Sequence, residues 1–362
     1  MISNLRLQQF RSYTDTTFMF GNGANLIVGP NGSGKTNLLE AILVIARGNS
    51  YRVSDSELLQ FGMPWFRLDA RINDDGVRTV KLVTEPRQAK TYELDGKVYQ
   101  RLITNHIMPA VLFEPNHLQL LHGAPDLRRS YLDDILEQTN QGFAAFRRNY
   151  RRVLAQRNSL LKRQPQPSTQ ELFPWNLRLS ELGATIARAR SVLCERLNET
   201  LGDVYAGISD AKTGVAIVYS PKFPIDSYET HLLQKLESHI HEDAMRGFTT
   251  YGPHREDFVV TFDGRPAVEI ASRGETRTAV LALKIIELQL LEAIRDQTPL
   301  LLLDDVFSEL DGRRRKALTG FLQRYQTFLT TTDADVVKKS WQVARLLRCL
   351  SPVSAKDFAR YR

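Results

Sequence analysis

The sequence predicts an α/β protein with an antiparallel β subdomain and an inserted helical arm. Three observations predict it. The apolar run Leu26-Ile27-Val28 leads into Gly29-Pro30-Asn31-Gly32-Ser33-Gly34-Lys35-Thr36, and helical spacing at Leu38, Leu39, Ile42 and Leu43 leads out. Period-two alternation from Phe66 to Tyr99 marks an antiparallel meander. Two amphipathic stretches on either side of Gln164-Pro165-Gln166-Pro167-Ser168 mark a helical hairpin.

Taken in order, Leu5, Leu7 and Phe18-Met19-Phe20 indicate an opening pair of strands, and Asn22-Gly23 supplies a turn. Residues Gly29 to Thr36 fit the phosphate-loop pattern G-x-x-x-x-G-K-[ST] in full, in the strand–loop–helix setting the motif needs. Its glycines let backbone N–H groups crowd around phosphate oxygens, and the new helix adds its positive end. Lys35 would neutralise the β- and γ-phosphates, and Thr36 would hold Mg²⁺ through its hydroxyl. The helix runs to about Ala46, and Gly48 ends it.

In the meander, Leu68, Ala70 and Ile72 alternate, Asp75-Gly76 turns, Val77 to Val83 returns, and Tyr92 to Val98 follows around Asp95-Gly96. Val111-Leu112-Phe113 is a short strand closed by Pro115. The pattern then turns helical. Phe143, Phe146, Tyr150, Val153, Arg157 and Leu160 step by three and four, and Leu179, Leu182, Ile186, Ala189 and Leu193 repeat the stepping. Each helix would be about 30 Å long, a stub arm rather than a long coiled coil, and Arg157 on the seam departs from a strict heptad. Phe258 to Phe262 alternates again, Asp263-Gly264 turns, and a long helix, a strand at Leu300–Leu303, another helix and a strand near Thr327–Thr331 follow.

The chain has 362 residues, which suggests about two domains. Apolar content of 42% supports a sizeable core, and a net charge of +7 fits a polyanionic partner. The two cysteines, Cys194 and Cys349, lie far apart; they suit a reducing compartment and give no zinc spacing. No run approaches a membrane span, and Met1 to Tyr13 has no signal-peptide core. The sequence predicts a soluble, cytoplasmic protein.

Leu300-Leu301-Leu302-Leu303-Asp304-Asp305 reads as a buried parallel strand ending in two acids, the place from which an Asp holds Mg²⁺ beside a phosphate loop. Ser272-Arg273-Gly274-Glu275 opens the helix Thr276 to Ile294 with a capping-box pattern. Such an end is also a ready γ-phosphate binder. The chain's own phosphate loop already serves one face of a nucleotide, so a second phosphate-binding helix end suggests a site completed by another copy of the protein.

With Ser308-Glu309-Leu310-Asp311 added, these segments resemble the ABC-type ATPase head, matching its Walker A, signature, Walker B and D-loop. The inserted arm resembles the SMC and Rad50 type. More narrowly the chain resembles the RecF family of bacterial recombination-repair proteins. The residues are Phe10-Arg11-Ser12-Tyr13, Ser50-Tyr51-Arg52, Gly123-Ala124-Pro125 with Arg128-Arg129, Gly252-Pro253-His254-Arg255, Ala271-Ser272-Arg273-Gly274 and Leu303 to Asp311. The likeness spans nearly the whole chain. It implies a head in two parts, residues 1–125 and 246–362, around an arm domain at 126–245. It implies ATP and Mg²⁺ as cofactors, with Gly29 to Thr36 and Ser272, Arg273, Gly274 and Glu275 binding nucleotide. Thr36 and Asp304 would hold the metal, and Lys35 and Asp305 would be catalytic. It further implies an ATP-dependent homodimer, binding to gapped or junction DNA with little sequence preference, RecO and RecR as partners in loading RecA, a link to the SOS response, and slow ATP hydrolysis.

Two departures bear on rate. Many ABC heads carry Glu where this chain has Asp305, one methylene shorter, and a switch histidine where it has Thr330-Thr331-Thr332-Asp333. The Q-loop falls near Phe113-Glu114-Pro115-Asn116. For DNA, Arg147, Arg148, Arg151, Arg152, Arg157, Lys162 and Arg163 fall in a stretch without Asp or Glu, among Phe146 and Tyr150. That clustering suggests phosphate contact from the arm, with Arg147, Arg148, Arg151 and Arg152 as the contacts. A transporter subunit would place its signature soon after the phosphate loop, and a chromosome-organising head would carry arms of hundreds of residues; neither pattern is present here.

Overall fold

The computed structural model describes residues 1–73, 76–163, 167–209, 213–332 and 343–348. Asp75, the Gln164-Pro165-Gln166 part of the arm turn, Asp333 and Cys349 lie outside them. In chain order the elements are β1 (Ile2–Phe10), β2 (Tyr13–Met19), β3 (Ala24–Val28), α1 (Lys35–Arg47), β4 (Trp65–Ile72), β5 (Gly76–Val83), β6 (Ala89–Leu94), β7 (Lys97–Tyr99) and β8 (Ala110–Phe113). Then come α2 (Pro125–Thr139), α3 (Phe143–Leu161), α4 (Thr169–Ser209), β9 (Val215–Ser220), α5 (Tyr228–Ser238), α6 (Ile240–Arg246), β10 (Asp257–Phe262), β11 (Arg265–Pro266), α7 (Ala267–Ile270) and α8 (Arg273–Arg295). The chain closes with β12 (Leu300–Asp304), α9 (Val306–Glu309), α10 (Gly312–Leu322), β13 (Thr327–Thr331) and β14 (Val343–Arg348).

Two compact units result: Met1–His117 with Glu287–Arg362, and Leu118–Ile286. These bounds differ from the segments 1–125, 126–245 and 246–362 read from the sequence, because α2 and β10 pack with α4 and β9.

In the first unit, an antiparallel sheet runs β2-β1-β4-β5-β6-β7, and a parallel sheet runs β14-β3-β13-β12-β8. The predicted meander and opening strand pair therefore join in one sheet. β8 and the first four residues of β12 are apolar on both faces, as a sheet covered on both sides requires; β8, β12 and the threonine-rich β13 are buried along their whole length. Helix α1 belongs to the core shared by the two sheets, with Leu38, Leu39, Ile42 and Ile45 packed among Leu5, Phe66, Leu82, Ile27 and Phe328. It is apolar nearly all round, the mark of a helix with no solvent face. Gly48 ends it in the left-handed region (φ 87°), with its N–H on Val44 O at 2.8 Å.

The second unit holds the arm and the sheet β11-β10-β9. Helix α3 has the expected length, 19 residues, but α4 does not end near Leu193. It runs for 41 residues, about 60 Å at 1.5 Å per residue. Leu197, Leu201, Val204, Tyr205 and Ile208 continue its apolar stripe and are buried, with β9 beside them, so tertiary packing carries the helix past Gly202 and Gly207.

Candidate nucleotide site and nucleic-acid interface

The phosphate loop joins β3 to α1 and must pass close under the β1–β2 turn. At Gly34 the backbone is left-handed (φ 93°), and a Cβ there would lie 2.9 Å from Tyr13 Oη and 3.0 Å from Ser12 Oγ. Only glycine satisfies both conditions. Tyr13 Oη donates to Gly34 O at 3.0 Å, and Asn37 Nδ2 donates to Ser12 Oγ at 3.0 Å. Below, Arg11 pairs with Glu40 of α1 at 2.8 and 3.1 Å, and Ser50 Oγ donates to the same carboxylate. The Phe10-Arg11-Ser12-Tyr13 and Ser50-Tyr51-Arg52 segments thus brace the loop and the start of α1. No local pattern marks that role, because Arg11 and Glu40 are 29 residues apart.

Lys35 donates from Nζ to Gly29 O at 2.8 Å and Pro30 O at 2.9 Å, so its ammonium sits over the loop. Ser33 Oγ is buried without a hydrogen-bond partner. Thr36 Oγ1 donates to Asp304 Oδ1 at 3.0 Å, joining two motifs that are 268 residues apart. Register explains the meeting: β3 and β12 flank β13 in parallel, so all three present their carboxyl ends together. Thr330 at the end of β13 donates to the same Asp304 oxygen at 2.7 Å and accepts from Asp305 N–H at 3.0 Å. In the sequence Thr330 stands out only as part of a segment that lacks a histidine.

Two hydroxyls on one oxygen fix the Asp304 carboxylate beside the loop. That oxygen donor set fits Mg²⁺, which takes one or two protein oxygens and fills its octahedron with phosphate and water. Asp305 stands at the N-cap of α9 with φ 52°, a left-handed conformation that Asp tolerates better than most residues. Tyr51 adds a buried hydroxyl without a partner. Burial, and then the carboxylates of Asp304 and Glu114, hold its pKa far above the usual phenol value, so it stays a neutral donor.

The signature residues lie in the second unit. Ser272 and Arg273 are exposed, and the capping box forms: Ser272 N–H donates to Glu275 at 2.8 Å, and Glu275 N–H donates to Ser272 Oγ at 3.2 Å. Hydrogen bonds from Ser272 hold the Glu275 carboxyl below its usual pKa. Helix α8 begins at Arg273, so Gly274 lies in its first turn. His122 Nε2 lies 3.0 Å from Thr276 Oγ1 and ties the loop before α2 to this turn.

The arm arginines divide. Arg148, Arg151 and Arg152 are exposed on α3. Arg147 instead pairs with Asp133 at 3.0 Å and Glu137 at 2.7 Å. Arg157 is fully buried against Asp243 at 2.7 Å. Among the described residues, no helix is long and apolar enough to cross a membrane.

A family profile described as an AAA domain matches residues 4–141. The chain is 33% identical over 349 residues to the DNA replication and repair protein RecF of Ruminiclostridium cellulolyticum, covering 92% of this chain and 93% of that one. It is 33% identical over 378 residues to the same protein of a Picosynechococcus species, covering 99% and 97%. A solved structure of the recombination mediator protein RecF with ATP, from the RecFOR pathway, superposes with a TM-score of 0.82 at 30% identity over 92% of each chain. An Smc head matches at a TM-score of 0.51 and 16% identity, a likeness of fold, over 94% of this chain and 92% of that one.

Proposed function

Because this chain belongs to the RecF family of DNA replication and repair proteins, we propose that it is an ATP-gated, DNA-binding homodimer that helps load RecA with RecO and RecR in recombinational repair, replication restart and the SOS response. Its head is of the ABC ATPase type. The observation that carries the reading is the Thr36–Asp304 contact at 3.0 Å, which completes a phosphate-and-metal corner in the first unit; within the second unit, the capped helix end at Ser272 is exposed.

Lys35 neutralises the β- and γ-phosphates while the loop N–H groups and Ser33 hold their oxygens. Thr36 and Asp304 would hold Mg²⁺, which would supply charge neutralisation at the phosphates. Asp305 orients the attacking water. Its carboxylate is one methylene shorter than Glu, and β13 brings Thr330 and Thr331 rather than His to the carboxyl ends of the strands. Turnover is therefore expected well below the enzyme median of about 10 s⁻¹, with ATP binding as the signal and hydrolysis as the reset. A steady-state phosphate-release assay checks the rate. Asp305→Asn should prolong residence of the dimer on DNA; faster release from that variant counts against the role.

Each phosphate loop covers one face of its nucleotide, and an exposed Ser272 end can cover the other face from a second chain. A two-fold pair would then share two nucleotides. Ser272→Arg places bulk where the γ-phosphate would sit and leaves the phosphate loop intact. ATP binding should persist, while ATP-dependent dimerisation in light scattering, and DNA binding with it, should be lost. If the variant dimerises on ATP as the wild type does, the shared site is wrong and Ser272 is a helix cap alone. RecO, RecR and RecA contact and the preference for gapped DNA are checked by pull-down and by filter binding on gapped and intact duplexes.

A further inference from the structure

Three helices of the arm unit meet around a cleft of about 210 Å³. Helix α2 lines it with Arg129, Ser130 and Asp133, α3 with Arg147 and Arg151, and α4 with Arg190. Helical spacing explains the convergence: Arg129 and Asp133 are one turn apart on α2, and Arg147 and Arg151 are one turn apart on α3.

Most of the charge is matched inside the protein. Arg129 pairs with Asp126 at 2.6 Å, Arg190 with Asp133 at 2.9 Å, and Arg147 with Asp133 and Glu137. His254 on the wall adds no charge at neutral pH. Burial pushes its pKa down to about 4, and it lies 2.7 Å from Tyr150 Oη and 3.1 Å from Thr249 O. Arg151 is different. Among the described residues it makes no hydrogen bond or ion pair. Burial and the neighbouring Arg147 charge lower its pKa, against the pull of Asp133, Glu137 and Asp134. The Ser130 hydroxyl has no hydrogen bond either, and Arg147 Nε is buried without an acceptor in good geometry. Among the described residues, the cleft therefore holds a free Ser130 hydroxyl and an Arg151 guanidinium with no direct hydrogen-bond or ion-pair partner.

We propose that this cleft seats one backbone phosphodiester of bound DNA, with Arg151 as its charge partner and Ser130 as a neutral donor. The assignment rests on the DNA-binding reading above. Small-molecule sites span about 300–1,000 Å³, so a cleft of about 210 Å³ suits one group of a longer ligand better than a whole nucleotide. The Arg151 guanidinium, which has no direct ion-pair partner among the described residues, answers the single negative charge of a diester; a phosphate monoester brings nearly two. Arg148 and Arg152 stand three residues before and one after Arg151, exposed on α3, so a strand seated in the cleft would run on along that helix. Contacts of this kind hold the backbone without reading sequence.

The test uses the full chain with ATP and a fluorescein-labelled duplex, titrated by anisotropy across a salt series. Arg151→Ala should weaken binding about tenfold, as loss of one charge-assisted contact does, and should lower the log–log salt slope by about 0.9. Arg151→Lys should keep the slope. Ser130→Ala should weaken binding by about threefold with the slope unchanged. The double variant Arg148→Ala/Arg152→Ala tests the arm outside the cleft. If the double variant lowers affinity and slope while Arg151→Ala changes neither, the cleft assignment is overturned and the arm still binds DNA. If neither variant changes affinity or slope, both the assignment and the arm reading fall.

Discussion

Lys35→Ala is expected to lower ATP affinity by at least about a hundredfold, the scale set by losing two charge-assisted hydrogen bonds to phosphate oxygens. ATP-dependent dimerisation and DNA binding should go with it. The fold should survive. The carbonyls of Gly29 and Pro30 that Lys35 engages are on a partly exposed loop, so water can replace the ammonium at little cost. The loop's other braces, Tyr13 on Gly34 and Ser12 on Asn37, are untouched. Isothermal titration with ATP reads the affinity and a thermal melt reads the fold. Wild-type affinity in the variant, with ATP-dependent DNA binding retained, would remove Lys35 from the site. Lys35→Arg should not rescue fully, because a planar fork does not replace a compact ammonium inside a tight loop.

The second large effect lies away from the nucleotide. Arg157→Ala should destabilise the protein by about 3–5 kcal/mol, the range for removing one partner of a buried ion pair. Arg157 and Asp243 are both fully buried. The guanidinium donates to Asn176 Oδ1, Asp243 Oδ2 and Thr249 Oγ1, each at 2.7 Å, and to Leu236 O at 3.3 Å. It thereby joins α3 to α4, to α6, and to the strand-leading segment at Thr249. Burial lowers its pKa and the Asp243 contact opposes that shift. Truncation leaves the Asp243 carboxylate buried with only Thr250 to answer it, through N–H at 3.0 Å and Oγ1 at 2.6 Å. Arg157→Met/Asp243→Leu should recover part of the loss but not all, because Thr250 is then unsatisfied. Urea denaturation followed by circular dichroism measures this. A loss under about 1 kcal/mol for Arg157→Ala would mean that water or a neighbouring group replaces the guanidinium. ATP binding to the first unit should be little changed, which separates this effect from that of Lys35.

These two residues also divide what sequence reading reaches from what it does not. Lys35 is legible because its chemistry lies within eight consecutive residues, and a complete phosphate loop needs only the strand before it and the helix after it. The capping box at Ser272 and Glu275 is legible for the same reason: its partners are three residues apart. The two-residue period of β4 to β7 and the stepping of α3 are likewise local. Arg157 reads in the sequence as one more member of a basic run, a break in the apolar seam, and Arg147 as a DNA contact. Their acids, Asp243 and the pair Asp133 and Glu137, sit on other helices.

What the sequence alone determined is therefore the set of motifs whose atoms meet within about one helical turn or one hairpin, together with the family that the motifs resemble. Only the tertiary structure decided the rest. It set which arginines are matched and which are left over, as Arg151 is. It carried α4 past its glycines to Ser209. It brought Thr36, Asp304 and Thr330 to one carboxylate. The physical reason is range. Turns, caps and periodicity follow from sterics and hydrogen bonds between near neighbours, whereas the fate of a charge depends on which opposite charge the fold carries to within about 4 Å of it.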